Sequence, residues 1–134
     1  MTVANTLTHY DAVLAYLRAN LAETVGDSEQ PPTPAYALYA LSGGEIDGTL
    51  GELDDDIVMP FQLNALSNSR QHAQYMQTAA RVLLLSMTLT IPGRSVTRIL
   101  CEDPSGVTRD DELGERGGRL FYTTDGFDIA TVPA

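Results

Sequence analysis

Carboxylates are the first residues in this chain that could do chemistry. Asp54, Asp55 and Asp56 are consecutive, and Asp110, Asp111 and Glu112 are followed by Glu115. Such groups can bind a cation. Adjacent side chains in extended backbone point to opposite faces, however, and a calcium loop needs alternating ligands, a glycine and a late bidentate glutamate that this sequence lacks. The first run therefore reads as a solvated acidic loop. The second is interleaved with Arg109, Arg116 and Arg119, a pattern suited to ion pairs within the loop or with a neighbouring subunit.

The remaining reactive types lead no further. Gly43, Gly44, Gly48 and Gly51 match neither phosphate-binding spacing, and Glu45, Asp47 and Glu52 among them would repel a phosphate. His9 and His72 fall near predicted helix starts, where a surface or capping role is expected. No serine or cysteine has a recognisable basic partner, and G-x-S-x-G is absent. The sole cysteine, Cys101, lies in an apolar run and is expected to be a buried, inert thiol; with two distant histidines it makes no zinc set. The expectation is a protein without catalytic, cofactor or metal residues, and not an enzyme.

Charge narrows the partners. Eighteen acids face eight bases, all of them arginine, for a net charge of −10. That balance opposes docking on nucleic-acid phosphates or anionic lipid. Tyr36, Tyr39, Tyr122 and Phe121 could stack on single-stranded bases, but core packing explains them more simply. No run approaches a membrane span, and Met1–Leu7 lacks the layout of a signal peptide, so a cytoplasmic location is expected. At 134 residues the chain fits a single domain, 1–134, with flexible loops at about 42–56 and 103–118.

Hydrophobic periodicity supplies the elements. Thr8, with Asp11 three residues on, is placed to cap a first helix whose stripe is Tyr10, Val13, Leu14, Leu17 and Leu21, ending by Glu23–Gly26. Asp27–Pro34 reads as a linker, Ala35–Leu41 as a strand, and Ser42–Asp56 as the long tip of a hairpin. Ile57, Met59, Phe61 and Leu63 then alternate with Val58, Pro60, Gln62 and Asn64, the period of a strand with one buried face. The period changes after Asn68 and Gln71, a capping signal. Met76, Ala80, Leu83, Leu84 and Met87 recur at helical steps, while Gln74, Gln77, Thr78 and Arg81 take the other side. Ser95–Glu102 has the β-branched content of a third strand, Asp103–Gly118 is charged and aperiodic, and Arg119–Val132 reads as one long strand with Phe121, Phe127 and Ile129 on one face. The predicted fold is α+β: a small, mostly antiparallel four-stranded sheet with two helices packed on one face.

The helix with Tyr10-Asp11-Ala12-Val13-Leu14-Ala15-Tyr16-Leu17, the strand pair Ala35–Leu41 and Asp56–Ser67, the Arg70–Leu85 helix and the closing strand introduced by Arg119 together resemble the tail terminator proteins of long-tailed, siphovirus-type bacteriophages. The resemblance is one of element order and length over nearly the whole chain. It implies a virion protein, assembled in the host cytoplasm, that forms a ring, usually hexameric, on the head-proximal end of the tail tube. Such a ring stops tube polymerisation and presents a surface for the head connector or stopper protein. The long segments at Ser42–Asp56 and Asp103–Gly118 depart from the family's pattern. Subunit or partner contacts are expected at Arg70, Arg81, Arg119, Asp110, Asp111, Asp54 and Asp55. Another head–tail joining or tail-tube component, or a small cytoplasmic module binding a host protein, fits the same pattern.

Overall fold

The computed structural model describes residues 6–29, 31–40, 45–47, 56–102, 106–110 and 120–133. In chain order the elements are α1 (Thr6–Asn20), β1 (Thr24–Asp27), β2 (Ala35–Ala40), β3 (Glu45–Asp47), β4 (Asp56–Ser67), α2 (Arg70–Leu85), β5 (Arg94–Glu102), β6 (Thr108–Asp110) and β7 (Leu120–Pro133). The α+β class and the four expected strands are present. The sheet is larger, though, and mixed: its main path runs β1-β2-β4-β7-β5, with β3 added to β4 and β6 to β7.

The spine is the antiparallel pair β4–β7, in register from Ile57↔Thr131 to Ser67↔Phe121. Alternation decides which side is dry: Ile57, Met59, Phe61, Leu63 and Ala65 are buried, as are Thr123, Asp125, Phe127, Ile129 and Thr131 opposite them. Phe121 shares that parity but is only half-buried. Pro60 cannot donate to a ladder, and it falls between the residues of β4 that pair with β3 and those that pair with β2. Most of the dry face joins both helices in one core with Tyr36, Leu38, Val25 and Ile99, and the Tyr10 ring stacks on Phe61 with centroids 6.0 Å apart. Both helices therefore cover one face, as their apolar stripes require. Among the described residues, the opposite face has only the smaller cluster of Ala37, Leu66 and Leu120.

Four sequence-based boundaries change. The supposed linker from Asp27 hides the end of β1, which pairs in parallel with β2 and leaves room for α1 only to Asn20. Thr8 lies inside α1 rather than capping it, because the helix already runs from Thr6. The cap of α2 is Ser69, not Asn68: its side chain accepts the backbone N–H of His72 at 3.4 Å. Within the two long segments, Glu45–Asp47 and Thr108–Asp110 are strands, because each finds an antiparallel partner on β4 or β7. Asp54, Asp55, Asp111 and Arg119 lie outside the described residues. No helix among the described residues is long and apolar enough to cross a membrane.

Candidate functional site: the outer face of helix α2 and the network beneath it

Helix α2 presents two unlike faces. Ala73, Met76, Gln77, Ala80 and Leu84 are buried against the sheet. On the other side Tyr75, Val82 and Leu85 stand out, the first two 68% and 66% exposed, at steps of seven and three that place them on one stripe. Thr78 lies between them and is also exposed. An isolated exposed leucine is ordinary, but an aromatic and two aliphatic side chains in helical register form one stripe, interrupted by Thr78.

Beneath this stripe is a buried carboxylate that the sequence reading did not single out. Asp125, on β7, is only 3% exposed because its parity places it on the dry face. Arg81 donates to it twice, Nε to Oδ2 at 2.8 Å and Nη2 to Oδ1 at 3.0 Å, and Gln77 Nε2 donates to Oδ1 at 2.9 Å. Residues four apart on α2 thus grip one acid, and the fork geometry makes the arginine contact bidentate. The hydrogen bonds it donates to Asp125 hold the Arg81 guanidinium above its ordinary pKa. Cys101 shares the neighbourhood, where desolvation and then the Asp125 charge push its thiol up. It is half-buried rather than buried, and it stays protonated at neutral pH, consistent with an inert role. Gln77, placed on the polar side by its chemistry, lies instead on the inner face.

A second network ties α1 to the sheet. His9, expected at the surface, is completely buried, and its Nε2 sits 2.8 Å from the Thr131 hydroxyl. Arg94 Nε donates to the same hydroxyl at 3.1 Å and Nη2 to the Thr131 carbonyl at 3.1 Å, so α1, β5 and β7 meet at one threonine. His72 does lie in the capping region of α2, with Nδ1 3.1 Å from the Ser67 hydroxyl. Tyr36, buried with its pKa raised by desolvation, donates to the Met76 carbonyl at 2.6 Å, and Tyr10, also raised by desolvation and by Asp27, donates to Asp27 Oδ1 at 2.5 Å. Among the described residues no group of three or more His, Cys, Asp or Glu converges in metal-binding geometry.

Of the expected contact residues, Arg70, Arg81 and Asp110 are among the described ones. Arg70 is exposed at the first position of α2, and Arg81 is engaged by Asp125 within its own chain. Asp110 ends β6, opposite Leu120. Arg70 and Arg81 both belong to α2, whose outer face carries the exposed Tyr75, Val82 and Leu85. No family model matches the chain, and no curated protein matches it.

Proposed function

We propose that this protein is a structural component of a phage tail whose activity is assembly: copies join into a ring that ends the tail tube and receives the head connector. The observation that carries the reading is the exposed Tyr75–Val82–Leu85 stripe on a helix whose inner face is fully committed to its own core. Aromatic and aliphatic side chains held on a rigid helix are suited to an interface centre, since little conformational entropy is lost on docking. The sheet adds a second surface, because β1 and β5 end its path and have no outer neighbour among the described strands. The order of elements, which resembles that of tail terminators, gives the assembly its identity in this proposal. Tail tube protein, head connector and further copies of the chain are the partners, and the virion is the site of action.

The test is the mass of the purified protein over a concentration series by light scattering, followed by negative-stain images with and without tail tubes. A single discrete ring, free or capping tubes, supports the reading. Open-ended tubes of the protein itself would assign it to the tube, and a monomer or dimer that ignores tail tubes would move it to the host-binding class.

A further inference from the structure

The short strand β1 ends the sheet, and its pairing with β2 fixes which of its backbone groups face outward. Thr24 to Asp27 run parallel to Ala35 to Leu38, and the Ser28 N–H donates to the Leu38 carbonyl at 2.9 Å. A parallel ladder engages alternate residues of a strand, so Gly26 and Ser28 turn their backbone groups toward β2 while Val25 and Asp27 turn theirs away from it. No described strand lies on that outer side. Unpaired groups on a sheet edge invite a further strand.

One of the outward groups is already taken. Arg18, in the last turn of α1, donates its Nε to the Val25 carbonyl at 3.1 Å, and Val25 is only 1% exposed although it belongs to an edge strand. A base in the last turn of a helix is favourable wherever its charge lies near the final carbonyls. This guanidinium instead sits on an acceptor of another element. The far edge of the sheet is protected differently: β5 breaks register between Val96 and Arg98, an irregularity of the backbone itself, whereas the protection of β1 hangs on a side chain that can move.

We propose that Arg18 is an autoinhibitory plug: by occupying the outward Val25 carbonyl it bars strand addition at the β1 edge, and its displacement opens that edge to an extended basic segment of a partner. The charge around the strand selects the partner. Glu23 precedes β1, Asp27 ends it and Glu29 follows, the latter two exposed, and Asp11 is exposed on α1, which packs beside β1. Two β1 edges would bring acids against acids. Lysines or arginines on an incoming strand would meet those acids and replace the positive charge that leaves with Arg18, while main-chain bonds to Val25 and Asp27 would hold the strand. This inference goes beyond the assembly reading above and does not depend on it.

Arg18→Met tests the plug, because it keeps an unbranched apolar stem beside the edge and removes both the donors and the charge; a thermal melt checks that the variant folds. The probe is an end-blocked hexapeptide of alternating lysine and valine, followed through amide exchange at Val25 and Asp27, whose N–H groups a docked strand would bond. The peptide should slow exchange at these two amides by about ten-fold or more in the variant and by less than about two-fold in wild type. A peptide of alternating glutamate and valine should protect neither protein. Wild type supplies a second measurement that needs no variant: the Arg18 Nε–H should exchange about ten-fold more slowly than that of an unstructured arginine. The proposal is overturned by equal protection of wild type and variant, by a folded variant that the lysine peptide does not protect, by a glutamate peptide that protects as well as the lysine one, or by an Arg18 Nε–H that exchanges freely. A lowered melting temperature without protection by peptide is the signature of a helix-end charge alone and likewise overturns it.

Discussion

The inner and outer faces of α2 use the same helix for opposite purposes. Inside, Met76 and Ala80 are dry, and the buried Asp125 is held by Gln77 and Arg81. Outside, Tyr75 and Val82 occupy positions where a solitary protein would place charge, yet α2 contains no acid at all. On the assembly proposal this contrast is a division of labour: the inner face contributes to folding stability and the outer face is left for a partner. If so, damage to one face should leave the other's property intact.

Removing Arg81 is the largest expected break. Arg81→Ala leaves the Asp125 carboxylate buried with a single neutral donor and should lower the unfolding free energy by about 3 kcal/mol, read from the urea midpoint. Replacing both partners, as Arg81→Met with Asp125→Leu, should recover most of that loss, since an apolar pair of similar size removes the buried charge altogether. A double variant no more stable than the single would show that Asp125 does more than occupy the core.

A smaller effect is expected at Tyr36. Burial raises its pKa above the unfolded value of about 10, so the folded state resists ionisation that the unfolded state accepts. The stability contribution is complete below about pH 10 and declines as pH rises beyond it. Tyr36→Phe should cost about 1 kcal/mol at neutral pH through the lost bond to the Met76 carbonyl, and it should flatten the alkaline decline of the melting temperature. An unchanged alkaline limb would assign that decline to other groups, Tyr10 among them.

At the end of α2 the change should be a gain. Met87 follows the cap Ser86 with φ +61, in the left-handed region that suits glycine, and its side chain is exposed. Met87→Gly should stabilise the protein by about 0.5–1 kcal/mol in chemical denaturation, because relief of the left-handed strain exceeds the entropy added to the unfolded chain. A loss would mean that the Met87 side chain contributes packing beyond its exposed surface.

Periodicity made the centre of this fold legible. The alternation from Ile57 to Leu63 and the helical steps after Ala73 identify β4 and α2 directly, because burial on one face fixes which residues must be apolar. β1, β3 and β6 are three or four residues long and exist through pairing with distant strands, so no local pattern marks them. Asp125 and His9 were missed for a related reason: polar residues on a dry face look like surface residues until parity is applied. Asp125 shares its parity with Phe121, Phe127 and Ile129, and His9 lies four residues before Val13, which lies four before Leu17, so both positions carried the signal. The outer stripe of α2 was harder to read, since Val82 and Leu85 adjoin the core residues Leu83 and Leu84 in one apolar run, and only the fold separates those that are buried.

The most direct test of the division is Tyr75→Ser combined with Val82→Asp, followed in parallel by thermal unfolding of the dilute protein and by sedimentation over a concentration series. The account predicts a stability within about 0.5 kcal/mol of wild type, as for ordinary surface changes, together with loss of association. Association equal to wild type in a variant that folds normally would contradict it, because the outer face of α2 would then have no part in assembly.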